Sequence, residues 1–138
     1  FNCPHASFVE KRKSEPELYV ADRTNQRVQV YDLEGKFKRT FGSDYMDSPS
    51  GFLTDGDLLV IIEHRGARLT VLDPDDTLVC YVGENAGISK AEGWPNNPRE
   101  QHQPGRFNSP HSITIDGAGN LYIAEWLKGG RITKLVKK

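Results

Sequence analysis

Short apolar runs, interrupted by polar residues and turn signals, recur along the whole chain, and no stretch sustains a helical period. Arg27-Val28-Gln29-Val30-Tyr31 alternates as a half-buried strand does. DLEGK, DPDDT and DGAGN carry the Asp, Gly and Asn residues that tight turns between antiparallel strands require. The predicted strands fall into three units, each opening on a proline. The first reads PHASFV, ELYVAD, RVQVYDLEG and FKRTFG, and the second PSGFLT, DLLVII, RLTVLDPDD and TLVCYVG. The third reads PHSITIDGAG, NLYIAE and RITKLV, where the chain stops before a fourth strand.

Units of about 45 residues with four strands each follow the pattern of propeller blades. The expectation is an all-β β-propeller segment forming one domain over residues 1–138, with four-stranded blades at about 1–45, 46–106 and 107–138. Residues 84–106, polar and rich in Gly, Pro and Asn, read as a long loop between the second and third blades.

One phrase recurs within this pattern: FNCPHASF opens the chain and FNSPHSIT stands 106 positions later. Phe1, Asn2, Pro4 and His5 answer to Phe107, Asn108, Pro110 and His111. Packing accounts for the Phe, the Pro and the strands, but not for the His. A blade's first strand lines the central channel, which sets His5 and His111 at the channel mouth. The loops between second and third strands open on the same face and bring Arg23, His64, Arg65 and Trp126 there, as does the 84–106 insertion with Trp94. Two imidazoles suit zinc, although a catalytic site takes three protein ligands. The alternative is that each His bonds local backbone and caps its strand. Arg23 reads as a clamp for an anionic group, or else as a loop arginine paired with Asp22 or Glu63. Asp22 and Glu125 end their second strands at one repeat position and are expected to accept hydrogen bonds from turn amides.

ELYVADRTNQRVQVYDLEGKFKRTFG resembles the blade of the NHL-repeat family almost throughout; the third unit fits well and the second weakly. That resemblance implies one half of a six-bladed propeller. The Pro-His phrases resemble those of the peptidyl-α-hydroxyglycine α-amidating lyases, six-bladed propellers that bind zinc through Pro-His histidines of alternate blades. The likeness implies His5 and His111 as metal ligands and Arg23 near the substrate, with Ser50 in the intervening blade's place. This sequence departs from the lyases at Ser112, where they carry Asp after one histidine, and the third ligand and active-site tyrosine would lie in further blades. The implied function is a metal-dependent lyase or hydrolase acting on a small polar ligand in the channel. The alternative is a non-enzymatic scaffold that binds protein or ligand on the same face.

Three blades cannot close a ring, so a homodimer completing six blades is expected. Apolar residues make up 36% and charged residues 27% of the chain, and the net charge of −1 argues against nucleic acid as the main partner. No apolar run reaches the roughly 20 residues that span a bilayer. Cys3 and Cys80 show neither metal spacing nor a disulfide framework and are expected in small apolar niches, and His102 is expected in solvent. The chain opens on Phe within a repeat phrase, which suggests a cut N-terminus. A leader lost with it is compatible with a periplasmic or secreted protein, so compartment stays open.

Overall fold

The computed structural model describes all of Phe1–Lys138. Eleven strands form three antiparallel sheets, and the only helical pieces are three-residue 3-10 turns. The first sheet holds β1 (Pro4–Glu10), β2 (Glu17–Asp22), β3 (Arg27–Tyr31) and β4 (Phe37–Phe41) in sequence order. The second holds β5 (Pro49–Asp55), β6 (Leu58–Glu63), β7 (Arg68–Leu72) and β8 (Leu78–Val82). The third holds β9 (Pro110–Ile115), β10 (Leu121–Glu125) and β11 (Arg131–Leu135) and, unlike the other two, has no fourth strand. The 84–106 segment is a loop with two single 3-10 turns, at Ile88–Lys90 and Arg99–Gln101.

The sheets stack face to face, and the sequence of β6 explains why the middle one holds the molecule together. Leu59 and Ile61 point toward the first sheet and join Tyr19, Val28, Val30, Met46 and Leu72 in one core. Val60 and Ile62 point the other way and join Ala67, Leu69, Phe107 and Ile123 in a second. A strand buried on both faces has no reason to alternate, hence the unbroken run LLVII. The first strands lie side by side, β1 against β5 and β5 against β9.

Each interface is also tied by polar groups. Between the first and second sheets, Arg39 donates to both oxygens of Glu17 at 2.8 Å and to Asp76 Oδ2 at 2.9 Å, while the Tyr19 hydroxyl donates to Asp76. The Arg39 guanidinium holds the Glu17 carboxyl down at about 2, against the opposing effect of burial.

Both cysteines are exposed rather than lodged in apolar niches. Cys80 lies on β8, the outermost strand of its sheet, and Cys3 precedes β1 in a left-handed backbone conformation at φ 57°.

A glycine follows β8 where the next unit must pack closely. Gly83 has φ +67°, and a Cβ there would stand 2.3 Å from the ring of Phe107, which is itself buried. Gly35, with φ +87°, has no atom within 4 Å of the same position. Gly83→Ala is therefore expected to destabilise the fold by about 2 kcal/mol more than Gly35→Ala, because overpacking adds to backbone strain. Urea denaturation of the two variants measures the difference, and equal losses would show that Phe107 yields without cost.

Candidate functional site

The site begins with an acid. Asp22, Glu63 and Glu125 each end the second strand of their sheet, and each is paired in register with the arginine that opens the third strand: Arg27, Arg68 and Arg131. All three carboxylates are buried and bind their arginine Nε, at 2.9, 3.1 and 2.5 Å respectively. Each also takes a polar side chain two residues further along the third strand: Gln29, Thr70 or Thr133. The other oxygen accepts backbone amides from the segment just before the first strand. Asn2 donates to Asp22 at 2.7 Å, Asp47 and Ser48 to Glu63, and Asn108 and Ser109 to Glu125 at 2.6 and 3.0 Å. Burial alone would raise the Asp22 carboxyl; the bonds from Asn2, Asn25, Gln29 and Arg27 outweigh it and hold that group well below the ordinary range. Asp22 and Glu125 thus accept turn amides as expected. Glu63, the last residue of β6, does the same.

The anchored segment leads directly into an irregularity in the pairing. The register slips between Pro4 and Ser7, between Pro49 and Gly51, and opposite Ala124/Glu125, where His111 is skipped. His5, Ser50 and His111 therefore sit on bulges at the start of β1, β5 and β9. A bulge frees a residue from the ladder and re-aims its side chain.

Three of the chain's four histidines meet as a result. The rings of His5 and His111 lie 5.2 Å apart, centroid to centroid, and those of His64 and His111 lie 5.5 Å apart, both edge to face. Trp94 and Trp126 flank His64 at 5.0 and 5.5 Å, and Trp126 stands 5.9 Å from His111. Trp94 is held by its Nε1 donating to the Asn108 carbonyl at 2.9 Å, which ties the insertion onto this face.

Hydrogen bonding determines which nitrogen the His5 ring presents. His5 Nδ1 lies 2.7 Å from the Ser50 carbonyl oxygen, which can only accept, so Nδ1 carries the proton. The Ser109 hydroxyl donates to the Trp126 carbonyl at 2.7 Å and lies 3.4 Å from His64 Nδ1, and the Pro110 carbonyl also faces the His64 ring. At His5 the nitrogen left open is Nε2. Burial holds His64 down at about 4, with the neighbouring His111, Arg23 and His5 adding to the effect and the Pro110 carbonyl opposing it. Burial, His5 and Arg23 also lower His111. At neutral pH both rings are uncharged.

Arg23 makes no ion pair with either acid suggested from sequence: Asp22 is taken by Arg27, and Glu63 by Arg68. It lines a small recess with Thr24, Gln26, Asp47, Ser48 and Arg65, adjacent to the charge-sensitive histidines. His102 stands apart from this group, half-buried with its Nε2 enclosed rather than in solvent. Sequence reading missed the Ser50 carbonyl as the acceptor that orients His5, and Ser109 as a neighbour of His64. The spacing of Asp22–Arg27, Glu63–Arg68 and Glu125–Arg131 was a visible signal for the acid anchor.

As they stand, the three rings contact one another by their edges and do not form a ready-made ligand set. The donor chemistry nonetheless fits a borderline-soft cation. With Zn–N at about 2.0–2.1 Å, two imidazole centroids on one tetrahedral ion stand about 5 Å apart. An outer-shell acceptor on Nδ1, as at His5, is the usual support of metal-binding imidazoles.

No protein-family model matches the chain, and no curated protein matches it. Among solved structures it is similar to that of a streptogramin B lyase, with a TM-score of 0.55 and 11% sequence identity over 97% of this chain. The chain spans 40% of the length of that structure. At this identity the likeness speaks for the fold, which is of the β-propeller type.

Because His64 lies against two indoles, its protonation is expected to quench tryptophan fluorescence as pH falls through about 4. The folded pKa lies below the unfolded value of 6.5, so the contribution of neutral His64 to stability is complete above pH 6.5 and lost as pH falls through about 4. A fluorescence titration of the chain and of His64→Asn checks this. A midpoint near 6.5, or one unchanged by the substitution, would contradict it.

Proposed function

We propose that His5, His64 and His111 form the metal-binding centre of a lyase- or hydrolase-like site at the mouth of the propeller channel. The observation that carries this reading is the convergence of three imidazoles, one of them oriented by the bond from its Nδ1 to the Ser50 carbonyl. The resemblance of the Pro-His phrases to those of the amidating lyases suggested His5 and His111; His64 adds the third donor that a catalytic zinc site requires. A bound zinc ion would supply Lewis acidity. The chain's own residues would do the rest. Arg23, which shares its recess with Asp47 but forms no ion pair, would orient an anionic end of a small polar ligand, with Arg65 beside it. Trp94 and Trp126 would wall the ligand and exclude water from its apolar side. The reading rests on this cluster, since the likeness to a lyase structure concerns fold alone.

Zinc titration by calorimetry, with metal content measured after dialysis, tests the proposal. One ion per site is expected, weakened at least about tenfold in each of His5→Ala, His64→Ala and His111→Ala while the fold persists. Absence of binding, or binding indifferent to these changes, would leave a non-catalytic ligand-binding face.

The chain belongs to an NHL-type propeller in this reading, and two copies complete a six-bladed ring. Tyr122, Ala124 and Ile132 of the third sheet occupy the repeat positions of Tyr19, Ala21 and Val28, which are fully buried between the first two sheets. Ile132 is instead 69% exposed, as an apolar face awaiting a neighbouring sheet is. Light scattering is expected to give twice the chain mass at micromolar concentration, and Ile132→Glu to shift it to monomer. A stable wild-type monomer would overturn the dimer.

A further inference from the structure

A cavity of about 460 Å³ lies beside the third sheet, between the insertion and the β10–β11 loop. Arg99, His102 and Arg106 wall it on one side, and Leu127, Arg131 and Thr133 on the other, with no acidic residue in its lining. Arg131 is balanced by Glu125, whereas Arg99 and Arg106 pair with no carboxylate, which leaves two uncompensated guanidinium charges. The Nε2 of His102 is enclosed without a hydrogen-bond partner. That nitrogen is closed off from the open cleft, so the donors a ligand would meet are those of the arginines.

The second sheet identifies the chemistry. Arg68 is the repeat counterpart of Arg131: each opens the third strand of its sheet and binds the acid that ends the second. The outer side of Arg68 takes a second carboxylate, that of Glu84, at 2.7 Å, and its guanidinium stacks on Tyr81 at 3.7 Å. The outer side of Arg131 meets only the Arg106 carbonyl, at 2.7 Å. Where the second sheet sets Glu84, the third gathers Arg99 and Arg106.

We propose that this cavity binds a carboxylate-bearing ligand, seated on Arg131 as Glu84 is seated on Arg68 and held by Arg99 and Arg106. Arginine suits the task because its planar donors match a carboxylate in pairs. Two free charges favour a ligand with two or more carboxylates. The same group could also arrive on an extended segment pairing with the edge of β11 as β8 pairs with β7. The site is separate from the histidine cluster and does not depend on its function.

Two probes distinguish these sources in calorimetric titrations of the full chain. One is citrate; the other is a peptide of residues 77–84, TLVCYVGE, kept reduced, with its Glu84→Gln form as control. Saturable citrate binding supports a free polycarboxylate, and peptide binding lost in the Glu84→Gln form supports a strand-borne one. In either case Arg99→Ala with Arg106→Ala should weaken binding at least about tenfold, the loss expected for hydrogen bonds to charged groups. Both side chains are exposed, and Arg99→Ala alone provides a milder variant should the double change disturb folding. Arg131 is left in place because it braces Glu125. Failure of both probes to bind, or binding unchanged in the arginine variants, would overturn the proposal.

Discussion

The buried carboxylate at the end of each second strand is the contact on which the rest of this molecule depends. Asp22, Glu63 and Glu125 each join three pieces of chain: the strand they end, the third strand through its arginine, and the segment that enters the first strand. Removing one partner of such a pair leaves the other charge enclosed, at a cost of about 3–5 kcal/mol. The pairing therefore does more than stiffen a sheet. It sets where each first strand starts, and hence where the bulges fall.

From that anchor the histidine cluster follows by short steps. Amides held by Asp22 and Glu125 position the turns before Pro4 and Pro110, the bulges beyond them turn His5 and His111 out of the ladder, and the two rings meet beside Ser50. His64 arrives from the loop beyond Glu63, and Ser109, whose amide is held by Glu125, stands beside its Nδ1. A change at an acid would thus reach the imidazoles with no direct contact between them. The 84–106 insertion, polar in composition, contributes the apolar wall of the site through Trp94 and the basic wall of the second cavity through Arg99 and Arg106.

Much of the architecture could be read from the chain itself. Strand positions were legible because residues such as Arg27–Tyr31 and Leu121–Glu125 combine β-branched and aromatic side chains with Asp and Gly at the turns. The repeated phrase around Pro4 and Pro110 marked both ends of the propeller segment and singled out His5 and His111. His102 and the cysteines were misplaced because their surroundings come from segments distant in sequence. An insertion that looks solvated folds back to enclose the His102 Nε2, while Cys80 falls on an outermost strand with nothing packed over it.

What the sequence alone determined, then, was periodicity: three strand-rich units, their order, the unbroken run of β6 that calls for a neighbour on both faces, and the absence of a fourth strand in the last unit. These are local properties, set by side-chain alternation and turn chemistry within a few residues. Only the tertiary structure decided which polar groups meet. That His64 meets His111, that the Ser50 carbonyl orients the His5 ring, and that Arg68 has a second carboxylate in Glu84 where Arg131 has none rest on contacts across 16 to 47 residues. They depend on how three sheets stack about their first strands, and no pattern within one unit encodes the distance between units.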